Sequence, residues 1–213
     1  MVRKMILAGA LLTLALFAGA QDMKTMFINM PDSLSPLFTK VNRADFADFL
    51  ESNMKAQVKN KFDKKSEMKI LTKDYLLLET TPQSTLEMKL LPLNDSLKVL
   101  CMVKTVCAPA CDSQVRFFDT VWRELSVSGF VTFPKADDFY QLTDTTDREK
   151  FADTRGKADI LLMKAKLSPQ DETMQFIYTT PDYMDKESAV ELRKFLRKDA
   201  TVIYKWENGV FKN

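Results

Sequence analysis

The stretch Leu97–Phe118 holds the longest apolar run outside the N-terminus. Leu97, Val99, Cys101 and Val103 fall on one face of an extended strand, and Leu100 and Met102 on the other. A strand apolar on both sides must be covered on both sides, so it is predicted to be central in a sheet. Ala108-Pro109-Ala110 interrupts it, because proline has no N–H to give a ladder. Pairing is expected to resume at Gln114, with Val115 and Phe117 on one face and Arg116 and Phe118 on the other. Val121–Leu125 then returns after a turn at Asp119-Thr120.

Upstream, Glu67–Leu71, Tyr75–Thr80 and Thr85–Leu91 read as strands. The turns between them fall at Lys73-Asp74, Thr81–Ser84 and Pro92–Ser96. That spacing predicts an antiparallel meander. Phe46, Phe49, Leu50, Met54, Val58 and Phe62 recur at helical intervals, predicting a long helix capped by Asn42. Met23–Lys40 reads as a lead-in with turns at Met30–Ser33 and Ser35-Pro36.

Downstream, Gly129–Phe133 reads as a short strand ended by Pro134. A capping box at Thr146 and Glu149 opens a short helix to Arg155. Asp159–Leu167 and Thr173–Thr179 form a hairpin, and Asp185 caps a helix over Lys186–Lys198. Thr201–Trp206 is a last strand, with Gly209 in a closing turn. One helix cannot cover both faces of a broad sheet, so the sheet must curl on itself or pack on a second layer. The fold class expected is α+β: an antiparallel meander, curled or two-layered, with one long N-terminal and one C-terminal helix.

The first twenty residues read as an export label. Arg3 and Lys4 precede an apolar run, Met5–Phe17, and Ala18-Gly19-Ala20 is a small-x-small cleavage site. Cleavage between Ala20 and Gln21 would leave 21–213 as a single α+β domain without a transmembrane span. Of 31 basic side chains the label takes two, so 29 remain against 29 acidic ones. That balance disfavours nucleic acid as a partner. The absence of histidine removes Ser-His-Asp and Cys-His catalysis and the commonest zinc sites. The remaining glycines, Gly129, Gly156 and Gly209, form no phosphate-binding loop.

Four segments carry a resemblance: Met30-Pro31-Asp32-Ser33, Glu51–Ala56, Met88–Pro92 and Ala108–Ser113. In combination they resemble an uncharacterised secreted family of Bacteroidales, domain-of-unknown-function family 3256. The resemblance implies export in a Gram-negative anaerobe, to the periplasm or the outer side of the envelope. It supplies no catalytic residues.

Cys107 and Cys111 flank Ala108-Pro109-Ala110 and are a candidate disulfide in an exported chain; two free thiols are the alternative. A metal site or a redox pair fits the spacing poorly. Cys101 reads as a buried apolar residue. Asp112 and Ser113 are surface-site candidates, with turn chemistry as the competing account and Lys104 as the one conceivable base for the serine. The acidic run Asp137, Asp138, Asp144, Asp147, Glu149 and Asp153 lacks the spacing of a calcium loop and reads as capping and solvated surface. No catalytic, cofactor-binding or metal-ligating residue is assigned, and no cofactor is expected. The reading favoured is a non-catalytic interaction or binding module of the envelope, its partner an envelope protein. The alternative is a periplasmic carrier of an apolar, lipid-like small molecule in a cavity of the curled sheet. A carboxylate or Ser-Lys hydrolase is a third.

Overall fold

The computed structural model describes residues 22–213, so the export label and its cleavage point at Ala20 and Gln21 lie outside the described residues. Seven strands pair antiparallel in chain order: β1 (Gln57–Lys59), β2 (Lys65–Leu71), β3 (Tyr75–Thr81), β4 (Ser84–Pro92), β5 (Lys98–Cys107), β6 (Cys111–Phe118) and β7 (Glu124–Leu125). The sheet stays open, with β1 and β7 at its edges. A second antiparallel sheet holds β8 (Met163–Leu167), β9 (Thr173–Tyr178), β10 (Thr201–Glu207) and β11 (Val210–Lys212), in the order β11-β10-β9-β8. The helices are α1 (Met23–Ile28), α2 (Lys40–Glu51), α3 (Arg148–Gly156) and α4 (Lys186–Arg193). Among the described residues no helix is long and apolar enough to cross a membrane.

The two faces of the meander belong to two different cores. Val99, Cys101 and Val103 pack with Tyr75, Leu91, Val115 and Phe117 against the second sheet. Leu100 and Met102 pack with Leu76, Leu78, Leu86, Met88 and Leu90 against Met23, Met26 and Phe27 of α1 and Phe46 of α2. The parity read from the sequence thus holds, except that Leu97 precedes the strand and is 59% exposed. A register shift between Met68 and Ile70 inserts Lys69 as a bulge. Without it Met68 and Ile70 would share a face; with it Met68 joins the helix-side core and Ile70 packs on the other.

Several elements differ from the sequence reading. The long helix ends at Glu51, with Ser52 as C-cap and Asn53 at φ +56°. Asparagine tolerates this left-handed conformation better than most residues, and there it reverses the chain. Val58 is therefore buried on β1, while Met54 and Phe62 are 56% and 72% exposed. Thr39, not Asn42, is the N-cap. Asn42 completes a capping box: its amide donates to Thr39 Oγ1 (3.2 Å), and its Oδ1 accepts from the Thr39 amide (3.1 Å). Part of the lead-in is helical, since Asp22 Oδ1 accepts the Thr25 amide (2.8 Å) and opens α1. The box expected at Thr146 and Glu149 is replaced by Asp147, which accepts from the Lys150 amide (2.9 Å).

Asp185 does cap α4, but the helix ends at Arg193; Leu196 then bridges Tyr140, and the Phe195 carbonyl accepts from the Gln141 amide (2.8 Å). Residues 121–123 belong to a turn in which Asp119 Oδ1 accepts the amides of Val121 and Arg123, both at 2.9 Å. Val127–Gly129 is a 3₁₀ turn, and Val131 then bridges Phe211 of β11. Asn208 and Gly209, at φ +51° and +81°, form the tight turn that joins β10 to β11. Both need the left-handed region, which is what an Asn-Gly pair supplies in a two-residue hairpin.

The second sheet is held to the first by side chains. The amides of β8 that point away from β9 would be bare edge donors. Instead Leu167 N–H donates to Glu87 Oε2 (2.9 Å), Ala165 N–H to Ser113 Oγ (2.9 Å) and Met163 N–H to Asp112 Oδ1 (3.3 Å). Glu87 is 3% exposed and also accepts from Tyr75 Oη (3.1 Å). Farther along, Trp206 Nε1 donates to the Pro92 carbonyl (2.7 Å).

On the helix side, Arg43 of α2 is buried and its guanidinium gathers the segment before the helix. It donates to the carbonyls of Ile28 (3.3 Å), Met30 (2.7 Å) and Phe38 (2.9 Å) and to Asp32 Oδ1 (3.0 Å).

Two predictions follow from these contacts. Arg43→Ala leaves three carbonyls without that donor, at about 1–3 kcal/mol each when buried. The expected loss is at least about 3 kcal/mol in urea unfolding; a loss below about 1 kcal/mol would contradict the role given to it. For Glu87, burial raises the carboxyl pKa above its ordinary 4.5, although the Leu167 amide and Tyr75 hydroxyl oppose the rise. The folded chain therefore holds this proton to higher pH than the unfolded chain, and stability falls as pH rises from about 4.5 through the raised value. Gln at 87 keeps an acceptor but does not titrate. The stability of Glu87→Gln relative to the parent should thus increase with pH across that window and then level off; a constant difference from pH 4 to pH 8 would contradict this.

Candidate functional site

The segment that Arg43 gathers continues as Leu34–Phe38 and lies over the ends of β3, β4 and β5. It is tied there by the Lys61 amide, which donates to the Leu37 carbonyl (3.0 Å), and by Lys104 Nζ, which donates to the Leu34 carbonyl (2.9 Å). Between this segment and the sheet is a cavity of about 200 Å³. Its walls are mainly apolar, with Leu34, Leu37, Phe38, Leu86 and Val106 contributing, and Thr80, Ser84 and Lys104 supplying polar groups.

Two polar groups in these walls keep unused capacity, one a charge without a counter-charge and the other a hydroxyl without a partner among the described residues. Lys104 is half-buried; burial first, and then the charge of Arg116, pushes its pKa below the ordinary lysine value. Arg116 is itself engaged by Glu124 through two hydrogen bonds of 2.7 and 2.6 Å. Among the described residues no carboxylate lies within ion-pair distance of Lys104. Ser35, also in the wall, is 3% exposed, and its hydroxyl has no hydrogen-bond partner among the described residues.

Of the residues singled out from the sequence, Lys104 lies in this pocket and the others lie elsewhere. Cys107 and Cys111 face each other across the β5–β6 hairpin and are bridged, with their Cα atoms 3.9 Å apart. A loop this short stabilises the fold by about 2 kcal/mol in the chain-entropy account. Cys101 is buried, and its thiol pKa is pushed up by burial and then by Glu87. Asp112 and Ser113 receive edge amides of β8, as described above. Ser113 also bonds Thr105 Oγ1 (2.8 Å) on the face toward the second sheet. Lys104, one residue from Thr105, points to the opposite face, so the structure does not bring Ser113 and Lys104 together.

The acidic run does not converge either. Asp138 caps the Lys135 amide (2.7 Å), Asp147 opens α3, and Asp153 pairs with Lys157 (3.2 Å). Among the described residues no group of three or more Cys, Asp or Glu could hold a metal ion.

The pocket itself escaped sequence reading. Lys104 sits in a strand whose alternation marks it only as a partly exposed polar position, and Arg43 falls on a helix with other charged residues. A lysine continuing the Leu100-Met102 parity of a buried face was the one available signal.

The architecture has a counterpart among solved structures. A domain of an uncharacterized protein from Porphyromonas gingivalis W83 superposes with a TM-score of 0.77 at 24% identity, covering 91% of this chain and 99% of that one. At that identity the likeness concerns the fold. No curated protein matches the chain. A family model, described as protein of unknown function (DUF3256), matches residues 15–211, and the chain belongs to that family.

Proposed function

We propose that the protein is an exported, non-catalytic binding module of a Gram-negative envelope. The observation that carries this reading is the division of labour among its polar side chains. Glu87, Asp112 and Ser113, which have the chemistry of acids and nucleophiles, are engaged in joining the two sheets. Of the pockets that stay open, the mainly apolar one bears a single lysine. Pockets of this kind, apolar with a few polar groups, are suited to recognition. Export is supported by the three-part label in the first twenty residues and by the Cys107–Cys111 bridge, since disulfides persist in oxidising compartments.

The carrier of an apolar ligand is a special case of the same reading, with a changed location. The space between the sheets is filled by Tyr75, Phe117, Phe176 and their neighbours, so a ligand would be held beneath Leu34–Phe38 instead.

Native mass spectrometry of the protein isolated from its own envelope tests the proposal. The expected species is a chain beginning at Gln21 and carrying a partner chain or small molecule that dissociates on unfolding. A bare chain would contradict the binding role, and one beginning at Met1 would contradict export.

A further inference from the structure

The pocket's composition narrows its ligand, given that the protein is a binding module. A cavity of about 200 Å³ holds roughly seven groups of water or methylene size, at ~30 Å³ each. That is room within the walls for one short unbranched chain. The walls from Leu34, Leu37, Leu86 and Val106 offer dispersion contact rather than hydrogen bonds, which suits methylenes and not a sugar. Lys104 supplies the single positive charge. Its ammonium gives one hydrogen bond to the Leu34 carbonyl and has two further N–H groups to give. A wholly apolar ligand would strip water from this ammonium without replacing it. A phosphate would bring up to two charges to a site with one unpaired cation among the described residues. A monoanion matches that charge and removes the desolvation cost by pairing.

We propose that this pocket binds a medium-chain fatty acid of about eight carbons, its carboxylate on Lys104 and its chain beneath Leu34–Phe38. Ser35, whose buried hydroxyl has no partner among the described residues, lies in the same wall. The segment itself does not need to be built on binding, because Arg43 already holds it in place.

The test is calorimetric titration of the mature protein, disulfide intact and freed of bound lipid, with sodium octanoate, octan-1-ol and sodium acetate. Octanoate is expected to bind at one site per chain, with octanol and acetate each at least about tenfold weaker, the former for want of the charge and the latter for want of the chain. Lys104→Met should bring octanoate down to the octanol level, while Lys104→Arg, which keeps the cation, should preserve the preference. Val106→Trp narrows the cavity from a position already 57% exposed, so it should fold normally and weaken octanoate and octanol alike, by about tenfold or more.

Equal binding of octanoate and octanol, unaltered by Lys104→Met, would overturn the carboxylate assignment while leaving a binding module. Octanoate binding unaffected by Val106→Trp would overturn the location. No octanoate binding at millimolar concentration would overturn the proposal outright. The broader reading stands or falls separately, on the complex isolated from the envelope.

Discussion

A sheet that is apolar on both faces forces the rest of this molecule into being. Along β5, Val99, Cys101 and Val103 belong to one core and Leu100 and Met102 to the other, so neither face can be left to water. The chain answers with two coverings of different kind. The N-terminal segment supplies helices, with Phe27 and Phe46 at their centre, and the C-terminal third supplies a second sheet. The bulge at Lys69 shows how strict the partition is: where the parity of the sequence would place Ile70 on the wrong side, the strand gains a residue.

Buried ionisable side chains bonded to backbone groups organise both coverings, one by holding the helical segment together and the other by joining the second sheet to the first. On the helix side Arg43 binds the carbonyls of Ile28, Met30 and Phe38; on the sheet side Glu87 binds the amide of Leu167. The logic is the same in each case. A segment that cannot join the ladder of the first sheet has unsatisfied backbone groups, and a buried polar side chain removes that cost more completely than apolar packing can. This explains why Asp112 and Ser113, which look reactive in sequence, sit at the seam. It also gives the pocket a fixed wall: Arg43 satisfies the Phe38 carbonyl, while Lys104 and the Lys61 amide hold the carbonyls of Leu34 and Leu37.

The meander was legible because each of its turns carries local chemistry, from Lys73-Asp74 to the Cys107–Cys111 hairpin, and because strand parity is a local property. The end of α2 was not, since Met54, Val58 and Phe62 continue the helical spacing by coincidence across a left-handed Asn53. Strand β11 was missed because three residues carry too little pattern, and two of their partners, Lys205 and Trp206, already read as the end of the chain's last strand. Glu87 and Lys89 were the hardest. Alternating with Leu86, Met88 and Leu90, they have the pattern of a half-exposed strand, and only the second sheet and the salt bridge from Lys89 to Asp74 (3.0 Å) make them buried. Side-chain contacts between residues 80 positions apart, as for Glu87 and Leu167, leave no local trace.

The joining of the two sheets rests on β8 being an edge strand that is not free. Native-state hydrogen exchange resolved to single amides measures this directly. If Glu87, Ser113 and Asp112 hold the second sheet, the amides of Leu167 and Ala165 should exchange as slowly as those of central β5, and that of Met163, with its longer bond, somewhat faster. Exchange of Leu167 and Ala165 at the rates of open edge donors, while Lys164 and Lys166 stay protected by β9, would show that the two sheets are not joined in this way.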